Sequence, residues 1–240
     1  MKKALFFDLY GTLIDVKTDE SDPRVYETLA RYLAYHSVAL SGEELKKAYG
    51  EGVEEKLRGS GEAFPDIDVY ELFSSILHRF GTTAYPECVV RDTARLFRSL
   101  TVRHFGLFEG VHEVLTRLAE KYAVALVSDA QWTFTEPEIA MLGLDRHFSL
   151  TVLSSRFGFR KPDTRLFAFA MERLGVSPGG SVYIGDNPAR DLVGAKRAGM
   201  ACVLFRSDCT SFNGFVPDGR FRYYNELEEV LRRIEEGERG

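Results

Sequence analysis

Residues 4–7, ALFF, form a short, unbroken apolar run that closes on a single carboxylate, Asp8. A run this short, without polar alternation, reads as a strand buried on both faces. From Pro23 to about Leu100 the pattern changes. DPRVYETLARYLAYHSV, SGEELKKAYGEGVEEKLRG, DIDVYELFSSILHRFG and PECVVRDTARLFRSL all space their apolar residues as helices do. Several open on Asp or Ser, residues suited to capping a helix N-terminus. Polar or glycine-containing joints near VKTDES and TVRHFGLFEG bound this helical block.

From Glu109 the rhythm becomes helix, strand, helix, strand. VHEVLTRLAEKY, EPEIAMLGL, DTRLFAFAMERLG and ARDLVGAKRAG read as helices. AVALVS, FSLTVLSS, SVYIG and ACVLF read as the strands between them. Such alternation implies βαβ units on a parallel sheet. The first strand joins that sheet, so the helical block is an insertion in its first crossover. The expected division is an α/β core of residues 1–16 and 105–240 and a helical unit of residues 17–104. ELEEVLRRIEEGERG should close the chain as an amphipathic surface helix that frays.

Composition narrows the function classes. A chain of 240 residues that is 45% hydrophobic has enough apolar material for a buried core. The net charge is −5 and no basic stripe is visible, which argues against a nucleic-acid partner. No apolar run approaches membrane-spanning length, and Asp8 interrupts the opening segment too early for a signal peptide. Cys88, Cys202 and Cys209 are few, odd in number and widely spaced. They fit reduced thiols in a cytoplasm, with Cys202 a small core residue.

Ligands of an open parallel sheet gather beyond the carboxyl ends of its strands. Asp8 follows the first strand, and Ser128 and Asp129 the second. Lys161, in RKPD, follows the third. GDNPARD, with Asp186, Asn187 and Asp191, follows the fourth. A carboxylate is a competent nucleophile. Crowded carboxylates repel, and an all-oxygen donor set suits Mg²⁺. A lysine offsets negative charge on nucleophile and substrate, and Ser128 is a donor for substrate oxygens. Each feature has a plainer reading: Asp8 as a helix cap, KPD as a turn, GDNP as a strand end with Pro188 opening a helix, Asp191 as a solvated charge. Their order at successive strand ends favours the joint reading.

In that order, FFDLYGTL, LVSDA, RKPD and IGDNPARD resemble the four motifs of the haloacid dehalogenase superfamily. The resemblance covers residues 1–15 and about 105–210. It implies a Rossmann-like, doubly wound parallel sheet of strand order 3-2-1-4-5, with the helical insert a cap over the site. It implies Asp8 as nucleophile and Ser128 and Lys161 as ligands of the transferring group. Asp186 would hold Mg²⁺ with Asp8 and the carbonyl of Tyr10, with Asn187 and Asp191 in the same metal-site loop. Asp191 would act through water or Lys161. Gly11 is expected to allow the tight turn after Asp8, Thr12 to close it, and both, with Asp129, to border the substrate.

Tyr10 departs from the phosphatases that this family resemblance brings in, which usually place a second Asp there as acid and base. A free phenol, with a pKa near ~10, replaces it poorly. General acid–base help contributes about 10²–10⁴ in rate. The DxY spacing resembles the family's 2-haloacid dehalogenases, whose halide leaves without a proton. Against that reading stand GDNPARD in place of a serine–asparagine motif, and Phe167 where those enzymes have tyrosine. Arg24 and Arg31 are the candidates for their halide-binding arginine. The expectation is therefore a Mg²⁺-dependent phosphatase of small molecules, phosphate esters or acyl phosphates, favouring good leaving groups. A metal-independent dehalogenase and a catalytically impaired binding protein are the alternatives. Asp129, or His36, Glu43 or Glu51 of the insert, could supply the missing acid. A monomer or small homo-oligomer is expected. Trp132 and Phe134 should pack between core and insert.

Overall fold

Strand β1 (Ala4–Phe7) is fully buried, and its alternate side chains serve two separate cores. Leu5 and Phe7 face one apolar cluster, Ala4 and Phe6 the other. This places β1 in the middle of a sheet covered on both sides, as its unbroken apolar run requires. The structure is a computed structural model, and it describes residues 3–81 and 84–237.

After β1 come β2 (Ile14–Thr18) and four helices, α1 (Pro23–Tyr35), α2 (Gly42–Gly59), α3 (Val69–Phe80) and α4 (Glu87–Thr101). Strand β3 (Val102–Leu107) returns the chain to α5 (Val111–Ala119), β4 (Ala123–Ser128), α6 (Trp132–Met141) and β5 (Leu150–Leu153). Then follow α7 (Thr164–Leu174), β6 (Ser181–Gly185), a π turn at Pro188–Leu192, α8 (Val193–Arg197), β7 (Ala201–Phe205), β8 (Gly219–Phe221) and α9 (Leu227–Glu235). The sheet order is β5-β4-β1-β6-β7-β8, with every neighbouring pair parallel. In terms of the five expected strands this is 3-2-1-4-5, with one more strand at the edge.

Helices α1–α4 pack around their own core, centred on Leu29, Leu33, Phe73, Leu77 and Phe97. Asp22, Ser41 and Asp68 cap α1, α2 and α3 through their side chains, and Ser41 and Glu44 complete a capping box. Such caps are each worth about 1 kcal/mol. Tyr26, Tyr49, Phe73 and Phe97 stack on one another in this core.

Three features differ from the sequence reading. The two joints are strands: β2 and β3 pair antiparallel from Ile14↔Leu107 to Thr18↔Val102, with a register shift at Lys17/Thr18. Polar side chains hid them: Lys17, Thr18, Arg103 and His104 are exposed, and only the short alternation of Ile14 and Val16 with Phe105 and Leu107 packs on the core. The segment ARDLVGAKRAG begins as a π turn before becoming helical. Strand β8 was not expected, since it has only three residues, beginning with a glycine. The terminal helix anchors itself through buried Leu227 and Leu231, and residues 238–240 of its expected span lie outside the described residues. No described helix is long and apolar enough to cross a membrane.

Candidate active site

The sheet's central strands set the site. Asp8 directly follows β1, and its N–H donates to Ile184 O on β6 at 2.8 Å. Ser128 ends β4 on the other side of β1. The chain then turns sharply at Gly11, whose φ is +84°. A Cβ there would also lie 2.7 Å from Asp186 Oδ2, so only glycine fits beside that carboxylate. Thr12 is fully buried; its hydroxyl donates to Asp186 Oδ1 at 3.2 Å, and its carbonyl accepts from Tyr224 OH.

Lys161 is the hub. Its ammonium is buried and reaches Asp8 Oδ1 at 2.9 Å, Asp191 Oδ1 at 2.7 Å and Tyr183 OH at 2.8 Å. These contacts use all three of its donors. Burial alone would push Lys161 down, but Asp191, Asp8 and Asp129 outweigh it and hold the ammonium well above its ordinary range. Tyr183 in turn donates its hydroxyl hydrogen bond to Val127 O at 2.7 Å. Sequence reading missed Tyr183; its signal was a phenol in the middle of the short buried strand SVYIG. Phe167 packs edge-on against it.

Asp191 is fully buried, and Oδ2 accepts from the N–H groups of Asp186 (3.1 Å) and Asn187 (2.8 Å). It thus ties the loop after β6 to Lys161. Asn187 spends its side chain as a helix cap, accepting from Ala189 N and Arg190 N. Asp129 accepts from Lys161 N at 2.8 Å, and Arg190 lies 3.5 Å from its other oxygen. Burial, opposed by Lys161, raises the Asp129 carboxyl. Asp129 is thereby an acceptor that fixes the lysine's backbone.

Carboxylate oxygens of Asp8, Asp186 and Asp191 lie within 4.8 Å of one another. Burial, then Asp8 and Asp191, pushes Asp186 up to about 6. One buried lysine does not balance Asp8, Asp129, Asp186 and Asp191. This all-oxygen, under-neutralised cluster fits a hard divalent cation. Among the described residues, Ser128 Oγ is buried at the end of β4 with no hydrogen-bond partner, which leaves its donor available to a bound oxygen.

Tyr10 takes another direction. Its hydroxyl donates to Glu138 Oε2 at 2.5 Å and shares a hydrogen bond with Thr135 Oγ1 at 2.9 Å. Arg98, from α4 of the insert, lies over its ring and pairs with Glu138 at 2.7 Å. Burial, then the Glu138 charge, raises the phenol far above its ordinary value. Tyr10 therefore keeps its proton and joins insert to core.

Other contacts line this seam. Trp132 Nε1 donates to Asp68 Oδ2 at 2.8 Å, and Phe134 stacks against Arg98. The loop before α3 docks on the loop before Lys161 through Arg160 N→Phe64 O (2.9 Å) and Asp66 N→Gly158 O (3.0 Å). The candidate acids of the insert are not at the seam. Glu43 and Glu51 are exposed, Glu51 facing Lys47 and Arg79, and His36 caps α1 against Tyr32 and Tyr35. Arg24 is exposed and pairs with Asp22; Arg31 is exposed and reaches Thr28. A cavity of about 630 Å³ between residues 207–222 and α9 contains none of the clustered side chains.

A sequence-family profile described as haloacid dehalogenase-like hydrolase matches residues 2–199. The chain belongs to the haloacid dehalogenase-like hydrolases. It is an enzyme of the hydrolase class. A curated relative, glyceraldehyde 3-phosphate phosphatase of Methanopyrus kandleri, is 28% identical over 98% of this chain and 99% of its own. Among solved structures, a 2-haloacid dehalogenase from Pseudomonas syringae pv. Tomato DC3000 superposes with a TM-score of 0.68. It is 22% identical and covers 98% of this chain and 100% of its own. A HAD phosphatase from Thermococcus onnurineus, also 22% identical, covers all of both chains with a TM-score of 0.60. At that identity the two structures speak to the fold, which this haloacid dehalogenase-like hydrolase shares with members of both chemistries.

Proposed function

We propose that this hydrolase is a Mg²⁺-dependent phosphatase of small phosphorylated molecules that works through a phosphoaspartyl intermediate on Asp8. The observation that carries the reading is the Asp8–Asp186–Asp191 oxygen cluster, within 4.8 Å, around a single buried lysine. The phosphatase name of the Methanopyrus kandleri relative supports the same choice.

In this reading an Asp8 carboxylate oxygen attacks phosphorus while the bond to the leaving group breaks. Water then attacks phosphorus, the Asp8–phosphorus bond breaks, and inorganic phosphate departs. Ser128 Oγ, the orphan donor, holds a phosphoryl oxygen. Lys161 orients Asp8 and offsets the charge that gathers there, and Asp191 with Tyr183 fixes the lysine. Asp8, Asp186 and the Tyr10 carbonyl would hold Mg²⁺, with Asp191 behind them; the ion would supply charge neutralisation for the phosphoryl group. The helical insert acts as a cap, docked through Arg98, Asp66 and Trp132.

Because the Tyr10 hydroxyl is committed to Glu138 and its proton is tightly held, the leaving group departs without an acid at this position. Aryl phosphates, acyl phosphates and anhydrides fit that chemistry. The DxY spacing favours a dehalogenase as the second reading. Arg24 and Arg31, both exposed on α1, offer that reading no halide ligand at the site.

The test is phosphate release from para-nitrophenyl phosphate with Mg²⁺ and with a chelator, beside halide release from 2-chloropropionate. Metal-dependent phosphate release lost in Asp8→Asn supports the proposal. Halide release without phosphate release replaces it with the dehalogenase.

A further inference from the structure

Beside the candidate active site lies a groove of about 560 Å³ that shares Lys161 and Asn187 with it. Arg160, Arg190 and Arg197 line it, coming from the loop before Lys161, the π turn and α8. We propose that this groove is a subsite for a second anionic group, a carboxylate or a phosphate, carried by the substrate on the far side of its leaving group. The proposal rests on the phosphatase reading and names the class of substrate for it.

The chain carries a net charge of −5, yet three arginines line one groove. Like charges gathered this way repel unless an anion lies among them. Among the described residues, neither Arg160 nor Arg197 has a carboxylate within ion-pair distance. Among those residues Arg190 pairs only with Asp129, at 3.5 Å, and Asp66 acts on Arg160 at longer range. Elsewhere the chain's arginines are mostly paired, as Arg165 is with Asp163 and Arg232 with Glu229. Guanidinium groups left unpaired present fork-shaped donors that match carboxylate and phosphate oxygens.

Arg190 sits three residues beyond Asn187 and lies 3.5 Å from Asp129, the neighbour of Ser128, so the groove adjoins the proposed phosphoryl site. One wall, Phe64, belongs to the helical insert, and its carbonyl accepts from Arg160 N at 2.9 Å. A substrate spanning site and groove would therefore touch both halves of the molecule and favour their docked arrangement.

Equilibrium binding to the wild-type protein with Mg²⁺ tests this, using three phosphonates. Methylphosphonate has no second anion, phosphonoacetate adds a carboxylate, and methylenediphosphonate adds a phosphonate. Wild type should bind one of the latter two at least about tenfold more tightly than the first, as a charge-assisted contact implies. The tighter of the two identifies the second group. The Arg160→Gln/Arg197→Gln double variant, whose side chains are exposed and whose folding is checked by its melting temperature, should lose that preference and bind methylphosphonate as before. Equal binding of all three by wild type, or a preference that survives in the double variant, overturns the subsite. Turnover of para-nitrophenyl phosphate is read separately. Its absence beside an arginine-dependent preference would reject the phosphatase reading and leave the anion site standing.

Discussion

Tyr10 exchanges acid–base chemistry for a structural bond. Its hydroxyl meets Glu138 and Thr135, and its ring lies under Arg98. Tyr10→Phe keeps the ring and deletes the donor. It should cost about 1–2 kcal/mol in denaturant unfolding, because Glu138 loses one partner but retains Arg98. Turnover of aryl phosphates should change little. Tyr10→Asp should raise the rate on alkyl phosphates by about 10² relative to the same variant's rate on para-nitrophenyl phosphate. An unchanged ratio would mean that the acid comes from elsewhere. At this scale the sequence exposed the residues that project from strand ends, because strand order and chain position foretell where they converge. Tyr183, Glu138, Arg98 and Arg190 were hidden. Their partners lie across 56, 128, 40 and more than 60 positions of sequence or a fold seam, which no local pattern records.

Three elements join the halves of the chain: the β2–β3 ribbon, the loop before α3, and α4, whose Arg98 pairs with Glu138. Apolar spacing displayed the insert's helices, since each buries one face, but the ribbon turns only two alternate residues per strand to the core among exposed polar ones and stayed invisible. The loop carries a pH dependence through Asp66. Burial raises its carboxyl; Ser154, the Ile67 N–H and Arg160 oppose the rise, and Asp68 adds to it. The docked form thus binds a proton more readily than an unfolded chain. Its stability should be greatest below the ordinary carboxylate pKa of about 4 and should decline as pH rises through the raised value. Asp66→Asn should remove this slope while keeping an acceptor for Ser154, so the difference in stability between wild type and variant should grow from pH 4 toward pH 7. A constant difference would contradict the assignment. The Arg98–Glu138 pair is nearly enclosed, with side chains 12% and 11% exposed. Arg98→Met should cost about 3 kcal/mol, because it breaks a nearly enclosed ion pair and leaves Glu138 without its cation. Glu138→Gln in the same chain should recover part of that loss.

For the whole molecule, the parallel sheet gathers side chains from four strand ends at one edge and leaves that edge short of positive charge. A cation that binds only the folded arrangement must stabilise it. Millimolar Mg²⁺ should raise the melting temperature of wild type by several degrees, as a ligand near 100 times its Kd adds about 2.7 kcal/mol. Asp186→Asn should abolish most of that shift. The order of the five expected strands was legible because βαβ alternation and the motifs constrain it. The sixth strand was not, since its three residues gain their place from packing on β7 and α9 and not from any pattern of their own. The central claim is that Asp8 attacks phosphorus, and its most direct test is to trap the intermediate. The protein is mixed with para-nitrophenyl phosphate and Mg²⁺, quenched rapidly in acid, digested and analysed by mass spectrometry. The account predicts a phosphoryl group on the Asp8 carboxylate in wild type and none in Asp8→Asn. Steady phosphate release with Asp8 unmodified at every quench time, and undiminished in Asp8→Asn, would contradict it.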